Sequence, residues 1–378
     1  MLKTPLFATF AICTLTFSAS AGTPIDGRID RRPVTSVLDD VWDAPTLVKD
    51  KKSDMLNELR IAGRFQGDLF DIENNKHDDS GAEVVKMRLG IDSLWFKKLR
   101  LHVEADLDPN NGNEMDKHLT DAYLSYEFSR AFEVTLGKQP VHFTLDGGTS
   151  SNELLTLDRS QIWNNVWSVT EFFNGARVGG KKGNWEYSAG YFTAGNRSRE
   201  FGTFSGSNFL VASLGYDFAD ALHAREAVLR LDYVNSEHRE DGESNRRFGD
   251  IASLSFQLDK GRYGVSTDLV YATGHRPQGD VWGASIMPWY NITPRLQAVL
   301  RGTYMKSDSR DGLRVEHYDE VFARGDTLRE VYAGLNYYFY GHRLKLQSGI
   351  SYANLNASPR VDGDYHEWTF TTGLRVSW

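Results

Sequence analysis

From Leu56 to the last residue the chain alternates apolar and polar side chains at every second position. The final segment shows the pattern best. Trp368, Phe370, Thr372, Leu374, Val376 and Trp378 share one face, and Glu367, Thr369, Thr371, Gly373, Arg375 and Ser377 share the other. A period of two means strands whose faces meet different surroundings. A soluble strand seldom ends a chain on a large exposed ring. A strand that crosses a membrane does, because the ring rests in the aromatic girdle at the interface.

The same alternation recurs along the chain. Leu59, Ile61, Phe65 and Leu69 oppose Arg60, Arg64, Gln66 and Asp68, and Val85, Met87, Leu89 and Ile91 oppose Lys86, Arg88 and Asp92. Leu99, Leu101, Val103 and Leu107 oppose Arg100, His102, Glu104 and Asp106. Segments of this kind, centred as far along as Leu335 and Ile350, total about sixteen, an even number suited to a bacterial barrel. Connections alternate between short, such as Ser129–Ala131 and Asn291–Pro294, and long, such as Asp71–Ala82, Pro140–Thr170 and Lys306–Leu328. Aromatic residues crowd the short turns: Trp95, Phe96, Phe128, Phe132, Trp185, Tyr263, Tyr290, Tyr337 and Phe339. Short inner turns, long outer loops and a ring of aromatics describe an all-β, antiparallel transmembrane barrel over residues 55–378. A soluble sandwich of this length needs a dry core between two sheets, and the charged second face denies it one.

The first residues give the compartment. Lys3, the apolar run from Pro5 to Phe17 and the small residues Ser18-Ala19-Ser20-Ala21 form a secretory signal, with cleavage expected after Ala21. Cys13, the one cysteine, lies inside that run after Ile12, which does not suit lipidation, so the exported chain carries no disulfide. Residues 22–54 read as a periplasmic lead-in with a short helix near Val34–Trp42. The formal net charge of −8 excludes a nucleic-acid binder, which needs a basic face. Localisation is therefore expected in a Gram-negative outer membrane, among lipid and lipopolysaccharide, after handling by the barrel-assembly machinery, for which the C-terminal Trp378 is the expected signal.

A ring of about sixteen strands encloses a lumen wide enough for water. The longest connection, Pro140–Thr170, carries apolar residues poorly suited to free solvent, among them Phe143, Leu145, Leu154, Ile162, Trp163 and Trp167. Loops of that length are usually functional, so this third loop is expected to fold into the pore and narrow it. Phe143, Asp146, Glu153, Asp158 and Arg159 are its expected constriction residues.

The motif GKQPVHFTLDGGTSSNELLTLDRS (Gly137–Ser160), with GRFQGDLFDIE (Gly63–Glu73) upstream and FFNGARVGGKKGNWEYSAG (Phe172–Gly190) downstream, resembles the phosphate-selective porin O/P family. The resemblance is strongest across the third loop and weak after about Gly206. It implies a sixteen-stranded barrel, a homotrimer and a pore loop.

Phosphate selection needs fixed cations, and Arg serves best. The expected inward face supplies Arg60, Arg64, Lys86, Arg88, Arg100, Arg177 and Arg301, with Arg230 and Arg375 farther round. The competing expectation is that these cations pair with Asp68, Asp92, Glu104 and Asp106, leaving a general diffusion channel. The expected function is passive diffusion of small hydrophilic solutes with a mild preference for phosphate or other anions. An enzyme is the rival from another class, but His102, His142 and His275 lack a nucleophile at a telling spacing. A closed structural or adhesive barrel is a further rival. His317 among Glu316, Asp319 and Glu320 reads as a solvated loop cluster, so no cofactor and no metal site is expected.

Overall fold

Every alternating segment forms a strand. The structure, a computed structural model, describes residues 37–76, 78–107, 109–110, 116–167, 171–193, 207–237, 248–275, 277–317, 321–356 and 364–378. Helix α1 (Val37–Asp43) and a short strand β1 (Thr46–Lys49) come first. The wall follows as β2 (Leu56–Asn74), β3 (Asp79–Trp95), β4 (Leu99–Leu107), β5 (Asp116–Ser129), β6 (Phe132–Pro140), β7 (Phe172–Lys182), β8 (Trp185–Thr193) and β9 (Asn208–Asp217). It continues as β10 (Glu226–Ser236), β11 (Phe248–Asp259), β12 (Tyr263–Gly274), β13 (Val281–Asn291) and β14 (Leu296–Ser307). A hairpin of β15 (Leu313–His317) and β16 (Val321–Gly325) precedes the last wall strands, β17 (Thr327–Tyr338), β18 (Leu344–Asn356) and β19 (Tyr365–Ser377).

Sixteen of these strands pair antiparallel in chain order, and β19 pairs with β2, so the ring is closed. Closure follows from the side chains. Leu89, Ile91, Leu231, Leu269, Leu300, Val331 and Leu335 point outward and stay exposed, whereas Gln66, Asp68, Arg88, Glu104, Asp232, Asp268, Arg301 and Arg375 point inward and are buried. An apolar outside and a polar inside are stable together only where lipid lies without and water or ion pairs lie within, and a closed ring leaves no backbone group unpaired in lipid. Phe96, Phe128, Phe132, Trp185, Tyr263, Tyr290 and Phe339 are exposed at the short-turn end. A second belt, absent from the sequence reading, comprises Tyr191, Tyr233, Tyr271, Trp282 and Trp368 toward the long-loop end.

Two expectations are corrected. Asp71–Ala82 is not a long connection. β2 and β3 stay paired to Ile72↔Asp79, because pairing satisfies their backbone and Ile72 packs inward, fully buried. Nor is the interior wet along its whole length. At the long-loop ends the inward residues are apolar: Phe173, Phe192, Phe209, Ile251, Val281, Met305, Leu328, Leu355 and Tyr365 form one core with the third loop and the β15–β16 hairpin.

The N-terminal segment fits beneath the C-terminus. β19 ends opposite Arg64, and β1 takes up the edge of β2 from there, with Thr46 opposite Arg60 and Lys49 opposite Glu58. Gly63 exchanges backbone hydrogen bonds with Trp378 in both directions. The Trp378 ring lies where a Cβ on residue 63 would be, so only glycine permits this approach. Trp42 Nε1 donates to the Ser377 carbonyl at 2.7 Å, and the Trp42 ring packs on Tyr340 with centroids 5.1 Å apart.

Candidate functional site: the lumen and its third loop

Residues 141–171, between β6 and β7, include helices α2 (Leu145–Gly148) and α3 (Gln161–Val166). Thr144 caps α2 by accepting from Gly147 N at 3.0 Å. Asp268, on β12, accepts from the backbone of Leu145 at 3.0 Å and of Asp146 at 3.4 Å. Arg230, on β10, donates to the Thr144 carbonyl. α3 is fixed by an amide pair, in which Asn165 Nδ2 donates to Arg314 O at 3.0 Å and Arg314 N donates to Asn165 Oδ1 at 2.8 Å. Phe143 stacks on Trp167 at 5.1 Å, and Trp167 meets Phe173 and Phe209 edge-on at 6.0 Å.

The middle of the loop bonds to other wall strands. Ser151 accepts from Arg64 at 2.9 Å. The Leu154 carbonyl accepts from Lys345 at 2.6 Å and Gln347 at 3.2 Å, and Leu155 O accepts from Asn336 at 2.8 Å. Arg301 donates to Thr156 Oγ1 at 2.9 Å and to Asp158 O at 2.8 Å. These partners lie on β2, β14, β17 and β18. Lys345, Gln347 and Asn336 were not singled out from sequence, though the alternation already put them on the polar face.

Of the residues read as constriction-forming, Phe143 is fully buried in the apolar core. Asp146 accepts from Ser160 N at 2.7 Å, and its carbonyl accepts from Arg159. Arg159 also donates to Glu171 at 3.1 Å and lies over the Trp163 ring. Glu153 is exposed to a cavity of about 370 Å³ that it lines with Asp146, Glu226, Asp259 and His342.

The inward cations are nearly all paired. Arg64 meets Glu104 at 3.1 Å, Lys86 meets Glu171 at 3.6 Å, Arg88 meets Asp106 at 3.5 Å and Arg100 meets Asp92 at 2.9 Å. Arg177 meets Glu133 at 3.3 Å, Arg230 meets Asp232 at 3.1 Å, Arg301 meets Glu330 at 2.9 Å, and Arg375 meets Asp68. Arg60 Nε is buried with no hydrogen-bond partner among the described residues.

A larger cavity, of about 540 Å³, runs between the loop and β5–β11, lined by Arg130, Arg177, Lys181 and Arg230 against Glu127, Glu133, Glu186 and Glu226. His142 faces it. The surrounding wall and loop, then Arg177, Arg230 and Arg159, push its imidazole below its ordinary value, although the side chain is exposed to the cavity. Gly179–Lys182 is ordinary β7 strand paired with β8. The side chains of Glu316 and His317, with residues 318–320, lie outside the described residues, as does the signal segment.

A closed barrel with an apolar exterior, two aromatic belts and an ion-paired lumen defines a porin-type channel of the outer membrane. The model of the phosphate-selective porin O and P family matches residues 59–308, more than half of the chain, and the protein belongs to that family. An uncharacterised protein of Aquifex aeolicus strain VF5 is 20% identical over 414 residues, spanning 92% of this chain and 97% of that one. Among solved structures, the anion-selective porin from Comamonas acidovorans aligns over 85% of this chain and 99% of its own, at 14% identity and a TM-score of 0.60. Pseudomonas putida OprB aligns over 85% and 94%, at 10% identity and 0.60. The outer membrane channel DcaP of Acinetobacter baumannii aligns over 88% and 100%, at 14% identity and 0.56. At these identities the likeness is one of fold. Family and fold point to a channel rather than an enzyme.

Proposed function

We propose that the barrel is a passive diffusion channel for small hydrophilic solutes, that residues 141–171 cross its lumen as the constriction, and that it mildly prefers anions such as phosphate. One observation carries the reading. The loop is rooted between β6 and β7, yet it is hydrogen-bonded to β14 and β17 on the opposite side of the ring, as well as to β10 and β12. A chain tied to both sides of a ring spans it. What remains open runs beside the loop, past Arg177 and Arg230. The family and the anion-selective Comamonas relative support the direction of the preference. A cleaved signal at Ala21, a periplasmic place for residues 22–54, a homotrimer, and assembly-machinery recognition of Trp378 belong to the same proposal.

A specific observation favours a second reading, a non-selective porin: the lumenal cations are matched by acids, four against four in the larger cavity. Bilayer recordings across a potassium chloride gradient separate the two. The first predicts an anion-directed reversal potential that moves toward zero in R177A and R230A, and a current reduced by added phosphate. A zero or cation-directed potential leaves the non-selective channel, and absence of conductance from a correctly folded barrel removes both.

A further inference from the structure

The pairing of β4 with β5 brings together three side chains that sequence spacing keeps apart. His102 and Glu104 are on β4, and Asp121 stands directly opposite Glu104 in register on β5. The potential ligand atoms of the three lie within 4.8 Å of one another on the inner face of the wall. Two carboxylates placed opposite each other repel, so this cross-strand pair opposes the sheet unless something positive joins it.

The neighbouring cations are bonded to other acids and make no direct ion pair with Asp121. Arg64 forks onto both oxygens of Glu104, at 3.3 and 3.1 Å. Arg88 takes Asp106, and Arg100 takes Asp92. Asp121 is only 4% exposed, and among the described residues it accepts no hydrogen bond and forms no ion pair. A buried carboxylate without a partner is costly. Here it points at a histidine and a second carboxylate.

The histidine is already held as metal-binding histidines are held. His102 Nδ1 lies 3.1 Å from Asp92 Oδ2, and its ring stacks on Tyr123 at 5.2 Å. A carboxylate on one ring nitrogen fixes the tautomer and orientation of the ring and leaves Nε2 to ligate. Glu104 keeps lone pairs beyond those Arg64 uses, since a carboxylate accepts at about four positions. A zinc-class ion with bonds of about 2.1 Å needs ligand atoms roughly 3.4 Å apart. The three potential ligand atoms stand within 4.8 Å of one another, so binding would have to draw Asp121 and Glu104 closer by side-chain rotation.

We propose that His102, Glu104 and Asp121 bind one zinc-class divalent cation on the lumenal wall, with Asp92 orienting His102. One imidazole and two carboxylates suit zinc and its first-row neighbours better than calcium or magnesium, which take oxygen alone. The cation neutralises the Glu104–Asp121 repulsion and staples β4 to β5. Through Glu104 and Arg64 it also bears on Ser151 of the third loop.

The test uses the full folded chain in detergent, freed of metal by chelator and titrated with zinc by calorimetry, with cobalt absorption as a second readout. Heat-dependent gel mobility confirms that each variant is folded. The proposal expects the number of zinc ions bound per chain to fall by one in Asp121→Asn and in His102→Gln, with loss of the corresponding cobalt band. Asp92→Asn keeps the site but weakens it about 10–100-fold. Wild-type protein without a saturable zinc site overturns the proposal, and so does a stoichiometry unchanged in both Asp121→Asn and His102→Gln. Neither outcome depends on whether the barrel conducts.

Discussion

Glu171 sits between Lys86 on β3 and Arg159 in the third loop, 3.6 and 3.1 Å from them. Burial on its own raises the carboxyl, but Lys86, Arg159 and Arg88 outweigh it and hold Glu171 well below the usual carboxylate range. Its pKa is depressed in the folded protein, so the stabilisation is present above the ordinary value of 4.5 and is lost as pH falls from there toward the folded value. The loop anchor therefore holds throughout the neutral range and fails only in acid. Glu171→Gln removes it at every pH. The expected loss is about 2 kcal/mol, the worth of hydrogen bonds to charged groups, read as a lower urea midpoint with a much weaker dependence on acid below pH 4.5. The freed Lys86 and Arg159 should also move the reversal potential toward anions. An unchanged midpoint and potential would mean that Glu171 anchors nothing. The sequence identified Arg159 but not Glu171, because a carboxylate one residue before an apolar strand carries no signal of what lies across the ring from it.

The third loop and the β15–β16 hairpin form one packed unit with the long-loop ends of the wall strands, and the Asn165–Arg314 amide pair joins α3 to β15. Trp167 is fully buried against Phe143, Phe173 and Phe209. Trp167→Ala should destabilise this unit by about 3–5 kcal/mol, as large-to-small changes in packed aromatic cores do. The wall strands pair through their own backbones, so the barrel should persist while the loop loosens. Single-channel traces should become noisier and the mean conductance larger, with heat-dependent mobility retained. A quiet trace at wild-type conductance would place the rings outside the constriction. The wall was legible in the sequence because a two-faced surrounding writes a period of two at each strand. The packed end was not. Phe192, Phe209 and Met305 keep the same period, and only their position along the strand turns the inward face from polar to apolar. The cross-wall set His102, Glu104 and Asp121 was hidden for a related reason: the register of β4 against β5 is not fixed by the length of the loop between them.

A barrel has no edges only once its first and last strands meet, and until then two unpaired edges are exposed. Here that seam joins residues about 300 positions apart, such as Arg375 opposite Gln66, so it is the least local pairing in the chain and the slowest to form. The seam is reinforced from both termini. Trp378 exchanges backbone bonds with Gly63 and lays its ring against that glycine, while β1 covers the edge of β2 below it and Trp42 holds the Ser377 carbonyl. Packing and assembly make different demands on Trp378. As packing, a half-buried ring contributes about 1.5 kcal/mol, and Trp42 about 1 kcal/mol through its hydrogen bond. Trp42→Ala and Trp378→Ala should then lower the urea midpoint of refolded protein by similar amounts. If Trp378 is also what the assembly machinery recognises, only Trp378→Ala should reduce the heat-modifiable fraction recovered from outer membranes several-fold. Equal recovery of the two variants would confine Trp378 to closing the seam.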